Sequence, residues 1–125
     1  MGKPDDTGTC PFCAPSEREW VHTRVFYDKY PVAPGHMLVV PKRHVSSLLD
    51  ATEEEYAEMM KVVREIATTS REHPDGWNIG VNIGKAAGQT VMHAHIHVIP
   101  RTHGDVADPR GGVRWVNPEK AVYWE

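Results

Sequence analysis

The stretch Gly88-Gln89-Thr90-Val91-Met92-His93-Ala94-His95-Ile96-His97-Val98-Ile99-Pro100 constrains this chain most, because it sets three histidines at alternate positions inside an apolar run. Alternation is the period of a β-strand, whose successive side chains point to opposite faces. His93, His95 and His97 are therefore expected on one face, with Ala94, Ile96 and Val98 on the other. One face would serve a core and the other a site. Same-face neighbours on a strand lie roughly 6–7 Å apart, and the outer pair about 13 Å apart. His93 and His97 are thus poorly placed to share one metal ion.

The rest of the chain supplies partners for this strand. Trp20 to Tyr27 is rich in β-branched and aromatic residues, and His36-Met37-Leu38-Val39-Val40 is a short apolar run stopped by Pro41. With Pro31, Pro34 and Gly35 between them, the two read as an antiparallel pair joined by a loop. Ser46 to Asp50 suits one helical turn. Thr52, with Glu55 three residues on, forms a capping-box signature that opens a helix from about Glu53 to Arg71. Its apolar stripe is Tyr56, Met59, Met60, Val63, Ile66 and Ala67, and its wet face is Glu54, Glu58, Lys61 and Glu65. His73-Pro74-Asp75-Gly76 closes the helix. Trp77 to Ile83 alternates as a half-buried strand, and Gly84 to Gln89 is a small-residue loop whose glycines let backbone amides approach an anion. These elements predict an α+β fold, an antiparallel sheet with one main α-helix.

A chain of 125 residues is one domain with one core. Its net charge of -3 gives no sign of a general nucleic-acid or membrane-surface binder, and no apolar stretch is long enough to span a bilayer. Neither nucleic acid nor membrane is expected as a partner, and a soluble cytoplasmic protein is expected. Eight histidines are the compositional outlier. The only cysteines, Cys10 and Cys13, are too close in sequence to constrain much as a disulfide, which points to metal or redox use in a reducing compartment. Zinc takes four ligands as a rule, so two thiolates would need two more groups, mostly histidines. Two reduced thiols without a metal is the plain alternative. A thioredoxin-like role lacks its strand-then-helix context, since Pro15 argues against a helix opening at Cys13. Residues 1–9 read as a flexible arm. The tail, residues 104–125, carries Trp115, Tyr123 and Trp124 and is too aromatic for a disordered end, so it is expected to pack on this chain or a partner.

A histidine held neutral can attack phosphorus and form a covalent phosphoramidate, splitting one substitution into two easier ones. Its tautomer must be fixed: one ring nitrogen donates to a carbonyl or carboxylate so that the other keeps its lone pair. Neighbouring donors on the same face then stabilise non-bridging oxygens or assist the leaving group. A row of three histidines supplies nucleophile and donors together. A metal-only site is the rival reading, since His93 with His95, or His95 with His97, could join the cysteine pair around one zinc.

With these pieces assembled, the sequence resembles the histidine triad (HIT) family of nucleotide hydrolases and transferases. The resemblance rests on His93-x-His95-x-His97 preceded by Gln89-Thr90, with Pro34-Gly35-His36 and Pro41-Lys42-Arg43-His44 upstream. It spans roughly residues 10–103, and the ending from Gly104 to Trp115 also looks like that of prokaryotic members. The resemblance implies a HIT domain over residues 10–103, a homodimer, and hydrolysis at the α-phosphorus of a nucleoside monophosphate conjugate. Dinucleoside polyphosphates and adenosine phosphoramidates are both candidate substrates, with a purine base expected. By the same resemblance His95 is the nucleophile, His97 contacts phosphate and assists the leaving group, and His36 is a further catalytic histidine. Asn82, Gln89 and Thr90 match positions around the phosphate, Asp28 the residue that holds the ribose hydroxyls, and Phe26 a neighbour of the base. Cys10, Cys13, His44 and His93 match the ligands of a structural zinc ion. The nucleotidyltransferase branch typically has glutamine at the third histidine, so His97 favours transfer to water. The alternatives are a phosphorylase or transferase, or a zinc-stabilised nucleotide-binding module with little catalysis.

Overall fold

The computed structural model describes residues 10–16 and 18–125; the expected N-terminal arm, residues 1–9, lies outside them. Five strands, β1 (Arg18–Glu19), β2 (Thr23–Tyr27), β3 (Met37–Pro41), β4 (Gly76–Val81) and β5 (Ile96–Arg101), form one sheet in the order β1-β2-β3-β5-β4. Every neighbouring pair is antiparallel. The main helix α1 is Glu53–Thr69, and a short helix α2, Pro118–Ala121, lies near the C-terminus. The expected α+β architecture with one main helix is what the chain forms.

Helix α1 starts where the capping box places it. The Thr52 hydroxyl accepts from the Glu55 amide at 3.1 Å, and the Glu55 carboxylate accepts from the Thr52 amide at 2.8 Å. Its buried stripe is Glu55, Met59, Val62, Val63 and Ile66. Val62 takes the place expected of Met60, which is half exposed. The helix turns Glu55 inward, and Arg43 makes this possible by gripping its carboxylate at 3.0 and 2.9 Å. The helix ends at Thr69, two residues before the expected Arg71. There the Thr68 and Thr69 hydroxyls donate to the carbonyls of Arg64 and Glu65, local bonds that compete with helix continuation.

Met59, Val62, Val63 and Ile66 pack on Val25, Val39, Ile96 and Val98, so one face of the sheet is core. Each of these side chains contributes about 1.5–3 kcal/mol on burial. Strand β2 begins at Thr23, not Trp20, because the Trp20 amide bonds back to the Thr23 carbonyl and makes a turn between β1 and β2. Strand β4 ends at Val81, before the expected Ile83.

The opposite face carries the histidines. The register aligns Phe26, Leu38, His97 and Gly80 in one row across β2, β3, β5 and β4. Over the β2–β3 half lies a second cluster of Cys10, Phe12, Leu38 and Val40, with Phe26 and Val91 at its margin. Over the β4–β5 half lies the C-terminal segment, whose Gly112 approaches the Asn78 amide.

Regular pairing in β5 starts only at Ile96, whereas the alternating pattern predicts a strand from before His93. The ladder partner runs out there. Pro41 has no amide hydrogen to give, and its carbonyl accepts from the His93 ring at 2.8 Å. The Ala94 amide instead reaches the Val45 carbonyl at 2.7 Å. His93 and His95 therefore sit on a bent, unpaired lead-in to the strand, and both are buried.

Candidate active site and metal centre

At the N-terminal end of the row, His93 is fully buried and donates from Nε2 to the Pro41 carbonyl. Its Nδ1 keeps a lone pair and faces Cys10 Sγ at 3.4 Å, Cys13 Sγ at 3.6 Å and His44 Nδ1 at 2.9 Å. Cys13 Sγ lies 3.4 Å from His44 Nδ1. Burial, first, and then the neighbouring His44 and His95, push His93 down to about 4, so its imidazole is neutral at pH 7. A neutral ring with an inward lone pair is what a metal ligand requires. All four ligand atoms lie within 4.8 Å of one another, so Cys10, Cys13, His44 and His93 are placed to bind one metal ion. The 3-10 turn Pro11–Cys13 brings both sulfurs to the same side.

His95 turns the other way. Its Nδ1 donates to the His93 carbonyl at 2.8 Å, which leaves the lone pair on Nε2. The Phe12 ring packs against it with centroids 5.2 Å apart, and His97 stacks edge-on at 5.1 Å. The backbone thus fixes the tautomer that a nucleophilic histidine needs.

His97 meets His36 and Asp28. The Val32 amide donates to His36 Nδ1 at 3.0 Å, so the neutral His36 ring carries its proton on Nε2. That nitrogen lies 3.0 Å from His97 Nδ1 and 3.4 Å from Asp28 Oδ2. His97 Nδ1 therefore accepts, and its own proton sits on Nε2. Burial holds both histidines below their ordinary value, and the Asp28 carboxylate opposes that shift in each. Asp28 Oδ1 accepts from the Tyr30 amide at 2.8 Å, and its Oδ2 faces the two rings. The ligand atoms of these three side chains also lie within 4.8 Å of one another, close enough to surround a metal ion. The Val32 bond opposes that use, because His36 would have to free Nε2 and place a second hydrogen against the Val32 amide.

The remaining expected residues fall into two groups. Phe26 packs on Phe12 at 5.5 Å, two strands from His97, and Asn82 lines the cavity beside His97. Thr90 is exposed immediately after the Gly84–Gln89 loop, in which Gly84 and Gly88 take positive φ. Gln89 is buried: its amide nitrogen donates to the carbonyls of Ser46 and Val91, and its oxygen accepts from the Gly84 amide. Its side chain braces the loop. Phe12 was not singled out by sequence reasoning, although it touches His93, His95 and Phe26. Its position between the two cysteines was the available signal. The tail's aromatic content, Trp115 included, led to an expectation of packing, but nothing in the local pattern pointed to the cavity that Val113, Trp115 and Val116 share with His36 and His97.

The HIT domain family matches residues 19–104. The chain is 48% identical over 81 residues to an AP-4-A phosphorylase of Mycobacterium tuberculosis, covering 61% of this chain but only 40% of that protein. It is 38% identical over 106 residues to an uncharacterized HIT-like protein of the same organism, covering 77% and 74% of the two chains. A bis(5'-adenosyl)-triphosphatase of Dictyostelium discoideum is 46% identical over 77 residues, covering 60% of this chain and 52% of that one. Among solved structures, a Zn-bound histidine triad family protein from Mycobacterium smegmatis superposes with a TM-score of 0.71 at 41% identity, covering 80% of each chain. The chain belongs to the HIT domain family.

Proposed function

We propose that this chain hydrolyses dinucleoside polyphosphates by attack of His95 on the α-phosphorus. The observation that carries the reading is the His95 Nδ1 bond to the His93 carbonyl, which directs an unprotonated Nε2 away from the backbone. In the first half-reaction His95 Nε2 forms a bond to phosphorus as the bond to the bridging oxygen breaks, leaving a nucleotidyl-histidine. His97 Nε2–H donates a hydrogen bond to the departing oxygen. Water then attacks phosphorus as the P–N bond breaks, its released proton passes to solvent, and the monophosphate leaves with His95 restored.

The tautomers also bear on the leaving group. His97 donates as a neutral imidazole, because its Nδ1 accepts from His36. A neutral ring gives up a proton reluctantly but stabilises an anion well. A polyphosphate, which departs as an anion, suits this arrangement better than an amine, and two relatives carry names for enzymes of diadenosine polyphosphates. Phe26 is assigned to the base, with a purine preferred by resemblance, and Asp28 to the ribose edge. Asn82 and Thr90 are assigned to phosphate contacts, and Gln89 to shaping the loop that presents them.

Cys10, Cys13, His44 and His93 would hold a zinc ion. Ligand atoms of a tetrahedral site with Zn–S of about 2.3 Å and Zn–N of about 2.0 Å lie roughly 3.3–3.8 Å apart. The observed sulfur-to-nitrogen separations of 3.4–3.6 Å fit that site, the two Nδ1 atoms at 2.9 Å sit closer than it requires, and the donor set of two thiols and two imidazoles is one zinc favours. Zinc there supplies a structural cross-link between the N-terminal turn and the segment that carries His95. A homodimer is proposed from family resemblance.

Acid-labile label from a diadenosine polyphosphate should appear on the His95 peptide after alkaline quench, and His95→Asn should remove it. Turnover by that variant would overturn the reading. Product analysis separates water from orthophosphate as acceptor, since the nucleotidyl half carried by His95 is released as AMP by water and as ADP by orthophosphate, and AMP is absent from the products of phosphorolysis.

A further inference from the structure

The turn Pro11–Cys13 touches the metal centre and the nucleophile at once. The sulfurs of Cys10 and Cys13 face His93 Nδ1 at 3.4 and 3.6 Å. Between them Phe12 is buried, its ring centroid 5.2 Å from that of His95 and 5.9 Å from that of His93. Whatever displaces this turn displaces the ring that packs on His95.

The two cysteines are not in a disulfide, and they differ in access: Cys10 is buried and Cys13 half-buried. A sulfur that ligates a metal does so as thiolate, which is also the form that attacks a peroxide. Redox-sensitive sites pair an accessible thiol with a resolving one beside it, the order present here. The turn already holds the pair in range. The Cys13 amide donates to the Cys10 carbonyl at 3.2 Å, and the two sulfurs lie within 4.8 Å of each other. The ends of such a turn have Cα atoms less than about 7 Å apart, close to the range of about 4.4–6.8 Å that a disulfide needs. Pro11 stiffens the turn in that shape.

A disulfide here is a poor substitute for the metal. The metal ties Cys13 to His93, 80 positions away, whereas the disulfide closes only the short turn itself. A loop that short gives little chain-entropy stabilisation, so the bond is easily reduced again. Oxidation therefore trades a long-range cross-link for a local one, and does so reversibly.

We propose that Cys10 and Cys13 are a site of reversible oxidation by hydroperoxides, whose disulfide releases the metal ion and loosens Phe12 from His95. The inference rests on the zinc reading above. The Cys13 thiolate attacks the terminal peroxide oxygen, so that an S–O bond forms as the O–O bond breaks. The departing oxygen takes a proton and leaves as an alcohol, or as water from hydrogen peroxide. The Cys10 thiolate then attacks the Cys13 sulfur, the S–S bond forms as the S–O bond breaks, and the hydroxide that leaves takes a proton to become water. The sulfurs give up the electron pair that the peroxide gains, and the metal departs as the same divalent ion.

The test treats the full-length, reduced, zinc-loaded protein with hydrogen peroxide beside a chromophoric zinc indicator. Zinc should be released in step with a Cys10–Cys13 disulfide seen in peptide maps, and Tm should fall by about 10 °C. The His95 imidazole resonances, which feel the ring current of Phe12, should shift. Turnover of diadenosine triphosphate should drop at least about tenfold. Reductant with added zinc should reverse every change. Zinc retained, or zinc released with Cys13 carried to sulfinic acid and no disulfide, overturns the proposal alone. Release with unshifted His95 resonances overturns the link to the nucleophile. A reduced protein that takes up no zinc overturns the metal reading together with the proposal, and absence of turnover before oxidation overturns the hydrolase reading by itself.

Discussion

The two ends of the histidine row use the same residue type for opposite purposes. At one end His93 and His44 meet two thiols in a buried nest, and at the other His97 and His36 meet a carboxylate at the edge of an open cavity. Burial is not what separates them, since His36 is as hidden as Cys10. The separation lies in which backbone atom takes the far nitrogen of each ring. The Pro41 carbonyl turns the His93 lone pair inward toward the sulfurs, and the His93 carbonyl turns the His95 lone pair the other way. The Val32 amide, a donor where the others are acceptors, reverses the tautomer of His36 and through it orders His97. Backbone groups therefore divide one run of histidines into ligand, nucleophile and donor.

The largest expected effect breaks the comparison at its centre. His95→Asn should lower kcat by at least about 10^4-fold, the scale of losing a covalent nucleophile, while the fold and metal content stay intact. Steady-state turnover with metal analysis of the same sample checks this. Next is the closed end. Chelation, or Cys10→Ser, removes the cross-link and should lower Tm by about 10 °C. The same treatment loosens the segment that carries His95, so activity should fall before the protein unfolds. Melting curves and rates recorded at matched chelator concentrations decide it; unchanged Tm after complete metal removal would contradict a structural role.

At the open end, His97→Ala should cost about 10^2–10^4-fold for poor leaving groups and markedly less for good ones. A leaving-group series reads this as a steeper slope, and equal losses across the series would contradict the assignment. The smallest effect is on pH. Burial keeps His36 and His97 neutral to below the ordinary histidine value of about 6.5, so their protonation should enter the acid limb of kcat/KM below that pH. The donor contribution of His97 is retained as pH falls through 6.5 and is lost as the depressed values are reached. Removing the Asp28 charge disfavours the imidazolium further, so Asp28→Asn should move the limb to still lower pH. A shift upward would contradict the placement of Asp28 beside the pair.

The sequence discloses one end of the row better than the other. Thr52 and Glu55 announce the start of α1, and the cysteine pair with His44 and His93 is legible as four metal donors through family resemblance. The alternation around His95 was misleading in one respect, since it extends a strand over positions where Pro41 and the His93 ring interrupt pairing. The pattern follows face but does not record which hydrogen bonds a proline removes. Phe12 was hidden because a single aromatic between cysteines has no period. That the tail packs was readable from Trp115, Tyr123 and Trp124, but where it packs was not: its position depends on contacts such as Arg101 with Asp105 and Asn78, and Gly112 over Asn78, that no local spacing encodes. Asp28 and Gln89 show a related limit. A matched motif position gives the residue, and only the fold shows that Gln89 is consumed by Ser46, Gly84 and Val91.

The division of the histidines by tautomer is tested most directly by 15N–1H correlation NMR of the imidazoles in the metal-loaded protein near pH 7. The structure predicts a proton on Nε2 of His93, on Nδ1 of His95, and on Nε2 of His97 and His36. A proton on Nε2 of His95 at rest would remove the lone pair from the attacking position and contradict the account.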